Sequence, residues 1–277
     1  MPIITDGAWG TQLQAAGLAP GECPEAWNLT RPAVVQAVAA AYVAAGSKVI
    51  LTNTFGANAV VLARHGLADQ VTAINQAGAA LSRAAAGSGV QVYASVGPVG
   101  RLLSAGEITP AEVRAAFHEQ IAALQAGGAD GIVAETMADG DEAAIAAEVA
   151  NELGLPVVLS FTFDHGKAHD RTMCGLTPER AARIADEAGA DGLGANCGLG
   201  AEALLPVMQR LRAASTLPLW AKPNAGLPVL AGGVTVYRSD PLAFAEHSRA
   251  LVGAGAYWIG ACCGSSPAVI AALQSSP

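Results

Sequence analysis

The chain has 277 residues, of which 52% are hydrophobic and 14% charged, and 15 Lys and Arg against 23 Asp and Glu give a net charge of −8. This apolar composition excludes a mainly disordered chain, and the acidic balance argues against nucleic acid as a partner. The sequence has no run of about 18 apolar residues and no signal-peptide pattern at its start. We therefore expect a cytoplasmic protein with no membrane partner.

A short pattern occurs four times along the chain: a glycine, a short apolar run and, seven residues after the glycine, a polar residue. The four pairs are Gly46 and Asn53, Gly128 and Glu135, Gly189 and Asn196, and Gly255 and Cys262. A glycine that ends a helix, followed by a run short enough for a buried parallel strand, is typical of a βα unit. The sequence therefore predicts a repeated βα architecture.

The apolar runs predict eight strands, in chain order at 3–4, 48–51, 92–96, 131–133, 157–161, 192–193, 217–221 and 257–259. Helices are predicted at 32–45, 70–86, 110–126, 141–153, 178–188, 201–214, 241–253 and 267–274. Several of these begin at a proline, whose missing N–H needs no partner in the first turn. Because no linker interrupts the series, we predict one α/β domain over residues 1–277, a single (β/α)₈ TIM barrel.

Polar residues follow the ends of the predicted strands. In a TIM barrel the active site lies at the carboxyl ends of the strands, so the closed ring brings these residues to one mouth. They are Asp6, Asn53, Glu135, Cys197, Asn224, Cys262 and Cys263.

Three of these residues are cysteines. Cys197 follows the sixth predicted strand, and Cys262 and Cys263 follow the eighth, so three sulfur atoms can meet around one Zn²⁺ and leave an open fourth position. Spacing alone leaves an alternative, in which the three are small buried hydrophobic residues. Cys23 and Cys174 lie in loops, where we expect them to have no ligand role.

Two carboxylates, Asp6 and Glu135, are expected at the same mouth. Together with the thiolates they suit an ammonium group, although capping of backbone amides is the competing interpretation. The turn that begins at Asp6 contains Gly7, Ala8 and Thr11, and such a turn can present backbone N–H groups to a carboxylate.

Six segments carry a resemblance to a known family: DGAWGT from Asp6, TNTFGA from Thr52, ET from Glu135, GANC ending at Cys197, KPNAG from Lys222 and GACCG from Gly260. In this order they resemble the homocysteine S-methyltransferase family, from residue 6 to about residue 266. The TNTF and PNAG segments are most similar to the N-terminal homocysteine-binding module of cobalamin-dependent methionine synthases.

The resemblance implies a metal site and a substrate site. In the metal site, Cys197, Cys262 and Cys263 would bind Zn²⁺, with Asn224 as a fourth ligand that the homocysteine thiol displaces. In the substrate site, the carboxylates of Asp6 and Glu135 would hold the amino group of homocysteine. The backbone from Gly7 through Ala8 to Thr11 would meet its carboxylate, and Asn53 belongs to the same predicted site.

The resemblance also implies transfer of a methyl group to homocysteine to form methionine. Because full-length synthases continue into folate, corrinoid and reactivation modules and this sequence ends at Pro277, we expect a separate methyl-corrinoid protein, carrying methylcobalamin, as donor. A sulfonium donor such as S-methylmethionine or S-adenosylmethionine, or a small methylated amine, is the alternative. Two other possibilities are a zinc-thiolate protein that binds thiols without transfer and an enzyme that methylates a different thiol.

Overall fold

The computed structural model describes residues 2–226, 228–231, 234–237 and 240–274. Its strands are β1 (Ile3–Ile4), β2 (Val49–Ile50), β3 (Gln91–Val96), β4 (Gly131–Met137), β5 (Val157–Phe161), β6 (Gly192–Cys197), β7 (Leu219–Pro223), β8 (Pro228–Ala231), β9 (Val234–Tyr237) and β10 (Ala256–Ile259). The strands β8 and β9 pair with each other in antiparallel fashion. The sequence pattern had not predicted this hairpin.

The other eight strands form one parallel sheet in the order β1, β10, β7, β6, β5, β4, β3 and β2. The two ends of this series meet, because Thr5 forms a parallel bridge with Val49 and the backbone N–H of Lys48 donates to the carbonyl oxygen of Ile4 at 2.8 Å. The predicted (β/α)₈ TIM barrel is therefore confirmed.

The helices are α1 (Trp9–Ala15), α2 (Trp27–Thr30), α3 (Pro32–Ala44), α4 (Ala59–Ala63), α5 (Val71–Ala86), α6 (Pro110–Ala126), α7 (Gly140–Glu152), α8 (Pro178–Glu187), α9 (Ala201–Ala214), α10 (Pro241–Gly253) and α11 (Pro267–Gln274). Eight of them match the predicted helices to within one residue at each end. Side chains of Thr109, Asp139, Thr177 and Asp240 accept N–H groups of the first turns that follow them, which explains these sharp starts. The short helices α1, α2 and α4 were not predicted, and they lie in the loops that follow β1 and β2.

Alternate residues of the strands face the barrel interior, as the two-residue period of a strand requires. The lower interior is apolar and is filled by one buried cluster: Val49, Leu51, Tyr93, Val133, Val158, Trp220 and Trp258. At Gly194 a Cβ atom would lie 2.0 Å from the carbonyl oxygen of Trp220 and 2.6 Å from its Cβ, so only glycine lets β6 and β7 approach this closely. The opposite strand faces pack against the helices in the largest hydrophobic cluster.

Two residues further along the same strands, the inward side chains become polar. They are Ser95, Glu135, Ser160, Asn196 and Lys222, and all are buried. This polar layer lies directly above the apolar interior and forms the floor of the carboxyl end of the barrel. In the described part of the chain, no helix is both long and apolar enough to cross a bilayer.

Candidate functional site

A cavity of about 370 Å³ opens at the carboxyl end of the barrel. Side chains from six strand ends or following loops border it, together with the loop after β1. Its lining includes Gly7, Ala8, Thr11, Glu25, Asn53, Ser95, Glu135, Thr136, Cys197, Lys222, Cys262 and Cys263. The structure therefore brings most of the predicted strand-end residues to one place.

Three thiols lie on one side of this cavity. The sulfur atoms of Cys197, Cys262 and Cys263 all lie within 4.8 Å of one another, with 2.9 Å between Cys197 and Cys262 and 4.0 Å between Cys262 and Cys263. Tetrahedral Zn–S bonds of about 2.3 Å would hold sulfur atoms about 3.8 Å apart. The three thiols therefore fit a zinc ion after small adjustments, and among the described residues they form the only such group of ligands.

The pKa values of two of the thiols, Cys197 and Cys262, are raised when these thiols contact only protein. Hydrogen bonds with Cys262 and Cys263, together with burial, raise the pKa of Cys197 well above its usual value. The bond with Cys197 lowers the pKa of Cys262, but the bond with Cys263 and burial outweigh this effect and raise it to about 12. A cation is the partner that would favour the thiolate forms.

A buried amide fixes the position of Cys197. The Asn196 Oδ1 atom accepts from the backbone N–H of Thr136 at 2.9 Å and from the hydroxyl of Ser160 at 2.6 Å. Its Nδ2 donates to the hydroxyl of Thr136 at 2.8 Å and to the sulfur of Cys197 at 3.4 Å. Thr136 and Cys197 both have left-handed backbone, with φ of 61° and 60°, and this amide ties the two strained residues together.

Asn224, the predicted fourth metal ligand, is buried at the end of β7. Its Nδ2 donates to the carbonyl oxygen of Gly198 at 2.6 Å. Its Oδ1 has no hydrogen-bond partner among the described residues. A buried oxygen without a partner is costly. An amide oxygen can coordinate a metal ion through a lone pair, and such a bond would remove this cost. Asn224 does not border the cavity that holds the thiols, so its ligand role stays a prediction.

Glu135 is a buried carboxylate beside the thiols. It lies within β4, which is longer than predicted, and it accepts a hydrogen bond from the hydroxyl of Ser95 at 2.5 Å. Burial raises the pKa of Glu135 to about 7, although the nearby ammonium group of Lys222 opposes this effect. Around neutral pH the Glu135 carboxylate is therefore close to its point of half protonation, and a cationic ligand would favour its ionised form.

Asp6, the other predicted carboxylate, is fully buried and does not border the cavity. Its Oδ2 accepts from the indole N–H of Trp9 at 2.8 Å and from the backbone N–H of Leu51 at 2.7 Å. Its Oδ1 pairs with the ammonium of Lys222 at 2.5 Å. Both carboxylate oxygens are therefore engaged by the protein itself, which differs from the open pair of carboxylates expected from the sequence.

The other predicted substrate-site residues border the cavity, but several of their polar groups bond within the protein. The backbone N–H of Ala8 donates to the hydroxyl of Ser265 at 2.8 Å, and the hydroxyl of Thr11 accepts from the backbone N–H of Gly264 at 3.1 Å. Asn53 donates through Nδ2 to the carbonyl oxygen of Pro24 at 2.7 Å. These bonds hold the loops that follow β1, β2 and β10 together around the mouth. Gly7 lies among them in the lining.

Sequence reasoning missed two charged residues of the cavity. Lys222 appeared only as part of a motif, and Glu25 had no assignment. Glu25 accepts the backbone N–H of Gly56 at 2.7 Å and so supports the loop after β2. Lys222 could have been found from strand periodicity, because it lies two residues after the inward-facing Trp220. Of the two remaining cysteines, Cys23 is buried and contacts Glu25, and Cys174 is exposed.

The whole barrel, including this site, matches a known family of proteins. The profile of the homocysteine S-methyltransferase family matches residues 3–276. The chain belongs to the homocysteine S-methyltransferase family. This confirms the resemblance carried by the six sequence segments.

Curated relatives in this family include two methionine synthases. The protein of Mycobacterium tuberculosis (strain ATCC 25618 / H37Rv) is 32% identical over 293 residues, which cover 97% of this chain and 24% of that protein. The protein of Mycobacterium leprae (strain TN) is 29% identical and is covered over 23% of its length. The chain therefore spans about a quarter of the length of these relatives.

Similar solved structures include an enzyme that this chain covers over nearly its whole length. The oxidized form of the homocysteine methyltransferase MmuM from Escherichia coli has a TM-score of 0.82 and 25% identity, covering 99% of this chain and 95% of that chain. The metallated form of the same enzyme has a TM-score of 0.83 and 24% identity, covering 99% and 96%. The second match shows that the fold is shared.

Proposed function

We propose that the chain transfers a methyl group to the thiol of homocysteine, forming methionine, at a zinc site made by Cys197, Cys262 and Cys263. The observation that carries this proposal is the meeting of three thiols and the Glu135 carboxylate in one cavity. Membership of the homocysteine S-methyltransferase family and the likeness to MmuM, which is solved in a metallated form, support it.

A zinc ion bound there would lower the pKa of an incoming thiol, so that homocysteine is present as a thiolate at neutral pH. Asn224, with its unpaired oxygen, would be the fourth ligand before homocysteine binds. The protein residues then hold the rest of the substrate. Glu135 would pair with the amino group of homocysteine, because it is the cavity carboxylate whose oxygens are not both engaged by donors of the protein.

The transfer itself needs a thiolate sulfur aligned with an electrophilic methyl group. A new C–S bond forms while the bond between the methyl carbon and its carrier breaks, and the carrier keeps the electron pair. The main contribution of the barrel is to hold the sulfur in this position, since no proton has to move in the step. The cavity opens at the carboxyl end of the barrel, and a donor would approach the sulfur from that side.

For the donor, we propose a methyl-corrinoid, because the curated relatives that match this chain are methionine synthases. A sulfonium donor is the second candidate. The likeness to MmuM, a homocysteine methyltransferase that this chain covers over 95% of its length, supports homocysteine as the acceptor for either donor.

The test is methionine formation by the zinc-loaded protein with homocysteine and each donor in parallel: methylcobalamin, S-methylmethionine, S-adenosylmethionine and betaine. Turnover with methylcobalamin supports the corrinoid proposal, and turnover with a sulfonium alone replaces that donor. Binding of homocysteine without turnover with any donor would favour a thiol-binding protein. Absence of both zinc binding and homocysteine binding would contradict the proposed function as a whole.

A further inference from the structure

The helices around the barrel differ in the charge that they carry. Each of α6, α7, α8, α9 and α10 contains between two and five Asp, Glu, Lys or Arg residues. The helices α3 and α11 contain none, and α5 contains one, Arg83. The guanidinium of Arg83 pairs with the carboxylate of Asp130, which neutralises its charge. One part of the ring of helices therefore carries no net charge.

These three helices are neighbours in the ring. The helix α3 packs against α5 on one side and against α11 on the other. The side-chain amide of Gln274, at the end of α11, also donates to the carbonyl oxygen of Gly46, just after α3. Together α3, α5 and α11 form one continuous surface on the side of the barrel, which we call the uncharged face. The cavity opens at the carboxyl end of the strands, and none of these helices borders it.

The exposed side chains of the uncharged face are mostly alanines. They are Ala33, Ala37, Ala40 and Ala44 on α3, Ala73, Ala80 and Ala84 on α5, and Ala268 on α11. On α3 they recur every three or four residues, so they lie in one row along the helix. Beside these rows, the half-buried Val34, Val43 and Leu81 pack against the buried cluster beneath them. The face therefore exposes apolar surface without charged groups, which is typical of the centre of a protein interface.

The charge of the chain indicates which partner fits this face. Two copies of a chain with a net charge of −8 repel each other when their charged surfaces approach. In a two-fold symmetric dimer the same patch meets itself, so a charged patch would place like charges opposite each other. The uncharged face avoids this cost. A different partner that is recognised by charge complementarity would find no complementary charge on it.

The size of the uncharged face also suits a second copy. The 13 residues of α3 and the 16 residues of α5 are about 20 Å and about 24 Å long, since an α-helix rises about 1.5 Å per residue. Three helices packed about 8–10 Å apart cover a width of roughly 25–30 Å. Each copy would bury roughly 600 Å², or about 1,200 Å² in total, which reaches the lower limit for a specific interface.

We infer that the uncharged face binds a second copy of the chain in a two-fold symmetric dimer. The contact is apolar and close to the lower size limit, so we expect a dimer that dissociates at micromolar concentration. Both cavities stay open, because the face lies on the side of the barrel and not at its carboxyl end. The inference is independent of the proposed function, since neither zinc nor homocysteine takes part in the contact.

Sedimentation velocity of the natural chain from about 1 μM to about 100 μM, at low and at high salt, tests the inference. The mass should approach that of two chains as the concentration rises. The dissociation constant should fall at high salt, because salt screens the repulsion between two negative chains. A chain that stays monomeric throughout this range would overturn the inference. A dimer that weakens with salt would also overturn it, because ion pairs would then hold the copies together.

The informative variant is Ala40→Glu, which places a carboxylate in the middle of the uncharged face of both copies. The dissociation constant of the dimer should rise at least about tenfold. Ala203→Glu, at an exposed position of α9 in another part of the ring, is the matched control and should leave the constant within about threefold. Zinc content and homocysteine binding should be the same in both variants as in the natural chain. A dimer that Ala40→Glu leaves intact must form through another surface, which would contradict the inference.

Hydroxyl-radical footprinting of the natural chain gives an answer that needs no variant. Oxidation of Val34 and Leu81, at the edges of the alanine rows, should be lower in the concentrated protein than in the dilute protein. Oxidation of Ile184, a half-buried residue of α8, should be the same at both concentrations. Equal oxidation of Val34 and Leu81 at the two concentrations would show that the uncharged face is not the interface.

Discussion

The two sides of the carboxyl end of the barrel, in and around the cavity, differ in how far the protein satisfies its own polar groups. On the carboxylate side, Asp6 receives three donors and Glu135 receives one from Ser95. On the thiol side, the sulfur atoms contact one another, and the amide oxygen of Asn224 has no partner among the described residues. The comparison teaches that one side is arranged by internal bonds, while the other presents three thiols and an amide oxygen as ligands for the proposed zinc ion.

The largest effect is expected on the thiol side. Cys262→Ala removes the central thiol of the three, so zinc affinity should fall by at least about 100-fold and methyl transfer should be lost. Metal content after dialysis and methionine formation measure the two effects. The exposed Cys174→Ala is the control and should change neither. Retention of one equivalent of zinc with full activity would show that the metal lies elsewhere.

A smaller effect is expected from the carboxylate side. Glu135→Gln keeps the shape of the side chain but removes its charge, so the affinity for homocysteine should fall about 10-fold to 100-fold. Affinity for mercaptobutanoate, which has no amino group, should stay within about threefold, and zinc content should not change. Glu119→Gln on the exposed surface is the matched control. Equal losses for both thiols would mean that Glu135 does not meet the amino group.

Asn196 of β6 lies between the two sides and bonds to Thr136 of β4 and to the sulfur of its own neighbour Cys197. Asn196→Ala should leave Cys197 in its strained backbone without a fixed direction and lower zinc affinity by about tenfold. Competition with a chromophoric chelator measures this. Asn151→Ala, in an exposed position at the end of α7, serves as its control. Unchanged zinc affinity would show that the backbone alone directs the sulfur.

The last prediction concerns folding stability and not the cavity. Glu142, a buried carboxylate of α7, accepts a hydrogen bond from the backbone N–H of Val99. Burial raises its pKa to about 7 from an ordinary value of 4.5. Between these pH values the folded chain keeps a proton that the unfolded chain has released. Stability should therefore fall as pH rises through this window, by at most about 1.4 kcal/mol per pH unit.

Chemical unfolding at several pH values, for the natural chain and for Glu142→Gln, measures that slope. The variant should show a flatter profile across this window, because the glutamine does not titrate. Its affinities for zinc and homocysteine should equal those of the natural chain. A profile as steep as that of the natural chain would mean that other groups cause the pH dependence.

The barrel could be predicted from the sequence because its βα units repeat a local pattern. In four of the units a glycine ends the helix and a buried strand follows at a fixed distance, so strand order and helix ends needed no long-range information. The loops could not be predicted in this way. Helices α1, α2 and α4 are short, and they depend on contacts with distant parts of the chain, such as the bond that Asn28 of α2 donates through Nδ2 to the carbonyl oxygen of Asn53.

The site was predicted in part, for a similar reason. Strand ends identified the three cysteines and Glu135, because the barrel places all strand ends at one mouth. The pairing of Asp6 with Lys222 joins residues 216 positions apart, and no local pattern encodes it. The two-residue period from Trp220 to Lys222 gives the direction of the lysine side chain, but the contact with Asp6 follows only from the closed ring.

The central claim is that three cysteines hold a zinc ion to which homocysteine adds its thiol. Zinc X-ray absorption spectroscopy of the loaded protein, before and after homocysteine is added, tests it most directly. The account predicts a shell of three sulfur atoms and one lighter atom at first, and four sulfur atoms with homocysteine bound. A shell that does not change, or a protein that binds no zinc, would contradict it.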